Sequence, residues 1–396
     1  MSAIRYAPII IAIILAISVF AYADVNASSL AQSHITLRVG YPDSLDESDV
    51  ADMYANQLLK AEGILVVPTF YDSPPLSYQG LISNQEDISY VNTVDAIATG
   101  PTSGSQTTCV YFDGLASTFL EIVGGGITQA SQMIGKTTED FGAGSATRAL
   151  NYYWFAQAGV STSVSGHNST AVNLKQGGGN FARVADIQSG ATQGIVVDDF
   201  ILNDFLSTTT PDINNSAHGG PFHVLFYSPT NYMGTCYTVR DSWLQSTSNQ
   251  QALVKYLEAL TQAQRWAISN PSQFVTFAAG QLPLTAVSEI QYTSTLYPAT
   301  FTFWPYGNYN LMGAENLTGL YTQTNNFYKI AQQISSPVLN SSVTPYGVVN
   351  GHWELQALQA LGPYCYPHQS WVTPQFESYV NSILPTSFGG FQGSCA

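Results

Sequence analysis

Residues 135–159, GKTTEDFGAGSATRALNYYWFAQAG, hold the side chains best spaced for chemistry. The pattern predicts a short strand, a turn on Gly142, Ala143 and Gly144, and then a helix. Ser145 is a good N-cap, because its hydroxyl can take a backbone N–H that the first helical turn leaves unpaired. Ala146, Ala149, Leu150, Tyr153, Trp154 and Gln157 fall on one face at helical spacing, and Gly159 suits the C′ position. The free N–H groups and the dipole at such a helix start can hold a polar or anionic group. Locally, a plain strand–turn–helix with a good cap reads the same way. Arg148 either adds charge to that helix start or lies on the outer face.

Catalytic patterns are missing from the sequence. Gly135-Lys136-Thr137 has the form of the end of a phosphate loop, but the position five before Gly135 is Ala130, where that loop needs glycine. No GxSxG, HExxH or paired His/Cys arrangement occurs. The six histidines, at 34, 167, 218, 223, 352 and 368, are scattered. Asp198 and Asp199 could form an acid pair, but adjacent strand residues point to opposite faces. One of them is then left for a structural task such as capping a helix at 200–206. The expectation is a non-enzyme with no cofactor and no metal.

The 396 residues suffice for two or three domains with proper cores. Charged residues make up only 9%, and the formal net charge is −15. The 11 Lys and Arg are dispersed, so no basic patch favours nucleic acid. A surface of neutral polar groups barely changes charge in acid, which suits an acidic exterior. Residues 1–23 carry Arg5, a continuous apolar run, and Ala21-Tyr22-Ala23 before Asp24, the pattern of a secretory signal peptide or of an N-terminal anchor through residues 7–23. An exported, extracellular or cell-surface chain is expected. Five sequons, at Asn26, Asn168, Asn214, Asn316 and Asn340, are compatible with surface glycosylation. The four cysteines, Cys109, Cys236, Cys365 and Cys395, allow three disulfide connectivities. Pairing Cys365 with Cys395 is cheap in loop entropy, which leaves Cys109 for Cys236.

Along the chain, residues 24–34 read as a polar linker. Strands are expected at 35–39, 64–71, 87–91, 109–112, 118–123, 192–197 and 222–227. Helices are expected at 47–62, 76–84, from 92 onward, at 180–189 and 249–270, with helical pieces at 327–334 and 354–361. Residues 175–179 read as a glycine-rich loop. Strands alternating with helices argue for a mostly parallel sheet covered on both faces.

The order of these segments resembles the substrate-binding proteins of ABC importers, closest to the nitrate, sulfonate, taurine and pyrimidine-precursor binders. The likeness rests on the opening strand Leu37-Arg-Val-Gly40, the unit 87–97 (DISYVNTVDAI), Met133-Ile-Gly-Lys-Thr137 with Gly144-Ser-Ala-Thr147, the unit 187–197, and the long helix ending Ala267-Ile-Ser-Asn-Pro271. It runs from about residue 35 to 271. It implies an α/β, two-lobe periplasmic binding protein type 2 fold, each lobe a mostly parallel sheet flanked by helices, with the ligand cleft between. The first lobe would be 35–122 with 228–396 and the second 123–227, with crossovers at Gly124-Gly125-Gly126 and Ser228-Pro229-Thr230.

In open α/β sheets ligands bind beyond the C-terminal ends of strands. Those ends supply the expected ligand-binding residues: Asp43, Ser44, Asp72, Ser73, Asn92, Thr93, Gly144, Ser145, Ala146, Thr147, Asp198, Asp199 and Tyr232. The aspartates favour an amine, an amidine-like base or a hydroxylated solute. The helix start with Arg148 favours a carboxylate, sulfonate or nitrate, and a zwitterion would use both. Tyr41, Tyr71, Tyr90, Tyr227 and Tyr232 offer rings for stacking. The implied function is a monomeric receptor that passes a small solute to an ABC permease. The alternative is a structural or adhesive surface glycoprotein.

Overall fold

The computed structural model of the chain describes residues 35–42, 49–92, 106–112, 119–198, 201, 222–227, 235–281 and 350–362. The first part of the chain alternates strand and helix: β1 (Ile35–Tyr41), α1 (Val50–Ala61), β2 (Ile64–Phe70), α2 (Pro74–Ile82), β3 (Ile88–Asn92) and β4 (Thr107–Phe112). Val50, Ala51, Ala55 and Leu59 give α1 its buried stripe. It stops at Gly63, whose φ of +82° suits glycine. α2 begins on Pro74, where the missing N–H costs nothing.

The middle part comprises β5 (Phe119–Val123), β6 (Thr137–Asp140), α3 (Ala146–Gln157), β7 (Thr162–Ser163), β8 (Val172–Gln176), α4 (Asn180–Ser189), β9 (Gly194–Asp198) and β10 (His223–Tyr227). The last part holds β11 (Thr235–Arg240), α5 (Thr247–Ser269), α6 (Pro271–Gln281) and α7 (His352–Leu361). Leu253, Tyr256, Leu257, Leu260, Ala263 and Ala267 line the buried side of α5, as their spacing predicts. Among the described residues no helix is long and apolar enough to cross a membrane.

These strands build two sheets. The first has the order β2-β1-β3-β11-β4 and the second β10-β5-β9-β6-β8-β7. β1 runs parallel to β2 and β3, while β11 lies antiparallel between β3 and β4. In the second sheet β6, β7, β8 and β9 are mutually parallel, and β5 runs against β9 and β10. Among the described strands β2 lies at the sheet edge, which explains how it tolerates Pro68 in its middle.

Along its described strands the chain crosses between the sheets twice. It leaves the first at Phe112 and enters the second at Phe119, whose partner is Asp198, the last residue of β9. It leaves the second at Tyr227 and re-enters the first at Thr235, whose partner is Asn92, the last residue of β3. Chain of this length reaches at most about 25–29 Å. The two links therefore hold the C-terminal ends of the parallel strands of both sheets near one another.

Several expectations change in detail. β5 belongs to the second sheet, so the first crossover precedes it and does not fall at Gly124-Gly125-Gly126. Asn92 ends β3 and opens no helix at that residue; residues 93–97 lie outside the described residues, as do 228–230 and 327–334. β8 takes in Lys175 and Gln176, leaving the loop to start at Gly177. β11 has no counterpart among the expected strands. All six of its residues are buried, so it lacks the alternation that marks a half-exposed strand. Cys109 on β4 and Cys236 on β11 form the expected disulfide across neighbouring strands. Cys365 and Cys395 lie outside the described residues.

Candidate functional site

Asp140, the last residue of β6, organises the turn that follows it. Its Oδ1 accepts the Gly142 N–H at 2.7 Å. Its Oδ2 accepts from Arg148 Nε at 2.6 Å and from Asn151 Nδ2 at 2.9 Å. The Phe141 N–H donates to Thr147 Oγ1 at 2.9 Å. Ser145 Oγ donates to the Gly142 carbonyl at 2.7 Å and accepts the Arg148 N–H at 3.1 Å, so the predicted cap forms. Gly142 and Gly144 sit at φ +91° and +84°, where other residues are strained.

This wiring rotates the predicted helix face. Arg148, Asn151 and Phe155 are buried with Ala146, Thr147, Ala149, Leu150 and Trp154, whereas Tyr153 is half-buried and Gln157 exposed. The cause is Asp140, which draws the polar ends of Arg148 and Asn151 beneath the first turn. Arg148 is only 5% exposed and its charge is matched by Asp140.

A second polar group continues across the same sheet edge. Asn180, at the start of α4, donates to Asp198 Oδ2 at 2.8 Å. Arg183, fully buried, donates to the Gly178 carbonyl at 2.7 Å and to Asn180 Oδ1 at 2.6 Å. Its guanidinium carbon lies 3.7 Å from the Phe141 ring centroid, joining the two groups by cation–π contact.

At the matching end of the first sheet, tyrosines surround a carboxylate. Asp52 Oδ1 accepts from Tyr41 at 3.1 Å, from Tyr256 at 3.3 Å, and closely from Tyr237. Burial pushes its pKa up to about 6, and the three phenols hold it from rising further. Tyr90 packs on Tyr41 and Tyr237 and donates to Thr235 Oγ1 at 3.1 Å. Tyr41 and Tyr90 are therefore core residues, withdrawn from the stacking role expected of them. Tyr71 is half-buried and donates to Glu86 at 2.8 Å, while Tyr227 stays exposed.

Of the expected ligand residues, Asp72 is exposed and Ser73 and Asn92 are buried at strand or helix ends. Gly144 is half-buried in its turn, Ser145, Ala146 and Thr147 are buried at the α3 start, and Asp198 is half-buried beside Asn180. Asp43, Ser44, Thr93, Asp199 and Tyr232 lie outside the described residues. Sequence reasoning missed Asp140, Asn180 and Arg183; the clue to the first was an acid two residues before a glycine turn with an arginine in the first turn of the helix that follows. No group of three metal-ligating side chains occurs among the described residues. A groove of about 650 Å³ lined by Ile35, Ile64, Lys255, His352, Trp353 and others opens at the N-terminal ends of β1 and β2, away from these strand ends.

No protein-family model and no curated protein matches the chain. Among solved structures it is similar to a conserved Candida albicans gene product described as having the generic periplasmic binding protein fold, at 13% identity and a TM-score of 0.58, covering 80% of this chain and 96% of that one. It is similar to the alkanesulfonate-binding protein SsuA from Xanthomonas axonopodis pv. citri at 13% identity and a TM-score of 0.56, covering 81% and 99%. A ligand-binding component of an ABC-type import system from Staphylococcus aureus aligns at 10% identity and a TM-score of 0.56, covering 82% and 100%. Two α/β sheets joined by paired crossovers, aligned over nearly the full length of these proteins, give the chain the periplasmic binding protein fold.

Proposed function

We propose that the chain is an exported, non-enzymatic receptor that captures a small organic solute between its two sheets and delivers it to an ABC-type permease. The observation that carries this reading is the pair of crossovers that join the sheets at their C-terminal strand ends, where α/β sheets bind ligands. Support also comes from solved structures of similar fold, one an alkanesulfonate-binding protein and one the ligand-binding component of an ABC-type import system. The structural or adhesive role rests on sequons and low charge alone, and no feature of the described residues favours it.

In this reading the first lobe holds β1–β4, β11, α1, α2 and α5–α7, and the second lobe β5–β10, α3 and α4. Asp72, Ser73, Asn92, Gly144, Ser145, Ala146, Thr147 and Asp198 lie toward the cleft. The hydroxyl of Ser145 is engaged within its own turn, and that of Thr147 accepts the Phe141 N–H. Arg148 is neutralised by Asp140, whereas Asp72 stays exposed. The balance favours a solute with a nitrogenous, cationic part over a simple inorganic anion. Calorimetric titration of organic amines and pyrimidines against nitrate, sulfonates and bicarbonate tests the ligand class, with solution scattering of the same samples. Tight binding confined to anions overturns the ligand class. Absence of binding in both panels, with no compaction, overturns the receptor role.

A further inference from the structure

We propose that Asn168 is an N-glycosylation site, taking an oligosaccharide from a lipid-diphosphate-linked donor. Asn168-Ser169-Thr170 is a sequon in the loop between β7 and β8. Residues 164–167 and 169–170 of that loop are exposed and Asn168 is half-buried.

The Asn168 side chain is held in one orientation. Its Oδ1 accepts the Thr170 N–H at 2.9 Å and the Thr170 hydroxyl at 2.8 Å. Its backbone is clamped by Asn173: the Asn168 N–H donates to Asn173 Oδ1 at 2.6 Å, and the Asn168 carbonyl accepts from Asn173 Nδ2 at 3.2 Å. These bonds engage the backbone and the side-chain oxygen and leave Nδ2 with no hydrogen bond among the described residues. A sugar on Nδ2 therefore displaces no hydrogen bond among the described residues, and the sequon hydroxyl already lies against the amide that would react.

The position suits a bulky group. A Cβ built on Gly135 would lie 3.5 Å from the Ser169 carbonyl, which sets the sequon loop against the N-terminal end of β6. Asp140, Gln176 and Asp198 mark the opposite end of the same parallel strands. A glycan at Asn168 thus projects away from the cleft proposed above. The sequons at Asn26, Asn214, Asn316 and Asn340 lie outside the described residues.

In the transfer, Nδ2 attacks C1 of the donor's terminal sugar. The Nδ2–C1 bond forms, the C1–O bond to the diphosphate breaks, and the lipid diphosphate leaves with the electron pair. Nδ2 gives up one proton, and nothing is oxidised or reduced.

The test uses the full chain exported from cells whose secretory membrane carries an asparagine oligosaccharyltransferase, with a known secreted glycoprotein as internal control. Trypsin cuts after Arg148 and Lys175, and the peptide between them contains Asn168 as its sole sequon. That peptide is expected to carry the glycan mass, and enzymatic release is expected to convert Asn168 to aspartate. Asn168→Gln and Thr170→Ala each abolish the modification, and Thr170→Ser keeps it. An unmodified 149–175 peptide from a cell that glycosylates the control overturns the proposal, as does a glycan that persists on that peptide in Asn168→Gln.

Discussion

The Arg148 guanidinium lies 2.6 Å from the Asp140 carboxylate, with both side chains shut away from water. An arginine one turn into a helix at a strand end resembles an anion ligand in sequence. In the folded chain its first partner is internal. Breaking such a buried pair from one side leaves a charge uncompensated and typically costs about 3–5 kcal/mol. Arg148→Ala and Asp140→Asn are each expected to lower stability by that order in denaturant titrations. The double variant should lose less than the sum of the two. A single variant that keeps its denaturation midpoint but loses anion binding would reassign Arg148 to the ligand.

Two buried carboxyls set a pH dependence. Burial raises Glu121 from an ordinary value near 4.5 to about 8, although Thr138 donates to it at 2.7 Å. Asp52 rises to about 6 for the same reason. A carboxyl with a raised pKa keeps its proton in the folded chain where the unfolded chain has lost it. Folding then takes up protons, and stability falls as pH rises. The loss should accrue from about pH 4 to 6 for Asp52 and from about 4.5 to 8 for Glu121, reaching at most about 3 and about 5 kcal/mol. Glu121→Gln is expected to remove most of the slope above about pH 6. A wild-type slope in that variant, measured by denaturation across the range, would reject the assignment. The direction agrees with a surface suited to an acidic exterior.

The Cys109–Cys236 bridge joins β4 to β11 across 127 residues of sequence. Replacing both cysteines by serine is expected to cost about 2–5 kcal/mol. Reductant should cost the native chain at least that much and the variant only what a Cys365–Cys395 bridge contributes, read from thermal unfolding with and without it.

Gly142 has φ +91°, and a Cβ there would come 2.7 Å from Gln176 Cδ. Gly142→Ala is expected to destabilise the chain by about 1–2 kcal/mol through the left-handed backbone alone. Adding Gln176→Ala relieves the clash and leaves that backbone cost in place. Full recovery in the double variant would show that the side chain was the whole obstacle.

Much of the architecture was legible because it rests on local signals. The α5 stripe, the glycine stop at Gly63, the cap at Ser145 and the α4 boundaries all follow from spacing and cap chemistry. What stayed hidden depends on partners distant in sequence. β11 is buried on both faces, so nothing in TCYTVR alternates. The fate of Arg148 was decided by Asp140, eight residues before it, and that of Tyr41 and Tyr90 by Asp52 and Thr235. The strand ends that bound the candidate site could be named from sequence, but which polar groups there are already engaged could not.

β11 is synthesised after every strand of the second sheet, yet it occupies an interior slot between β3 and β4. Until it arrives, both of those strands carry open hydrogen-bonding edges. Order of synthesis and order of assembly are thereby uncoupled. A chain made from its N-terminus cannot finish its first sheet until the entire second has been made, and such long-range closure is slow. Chains truncated before Thr235 should carry two sticky edges and a lone thiol at Cys109, which makes them natural clients for a holding chaperone and poor candidates for independent folding.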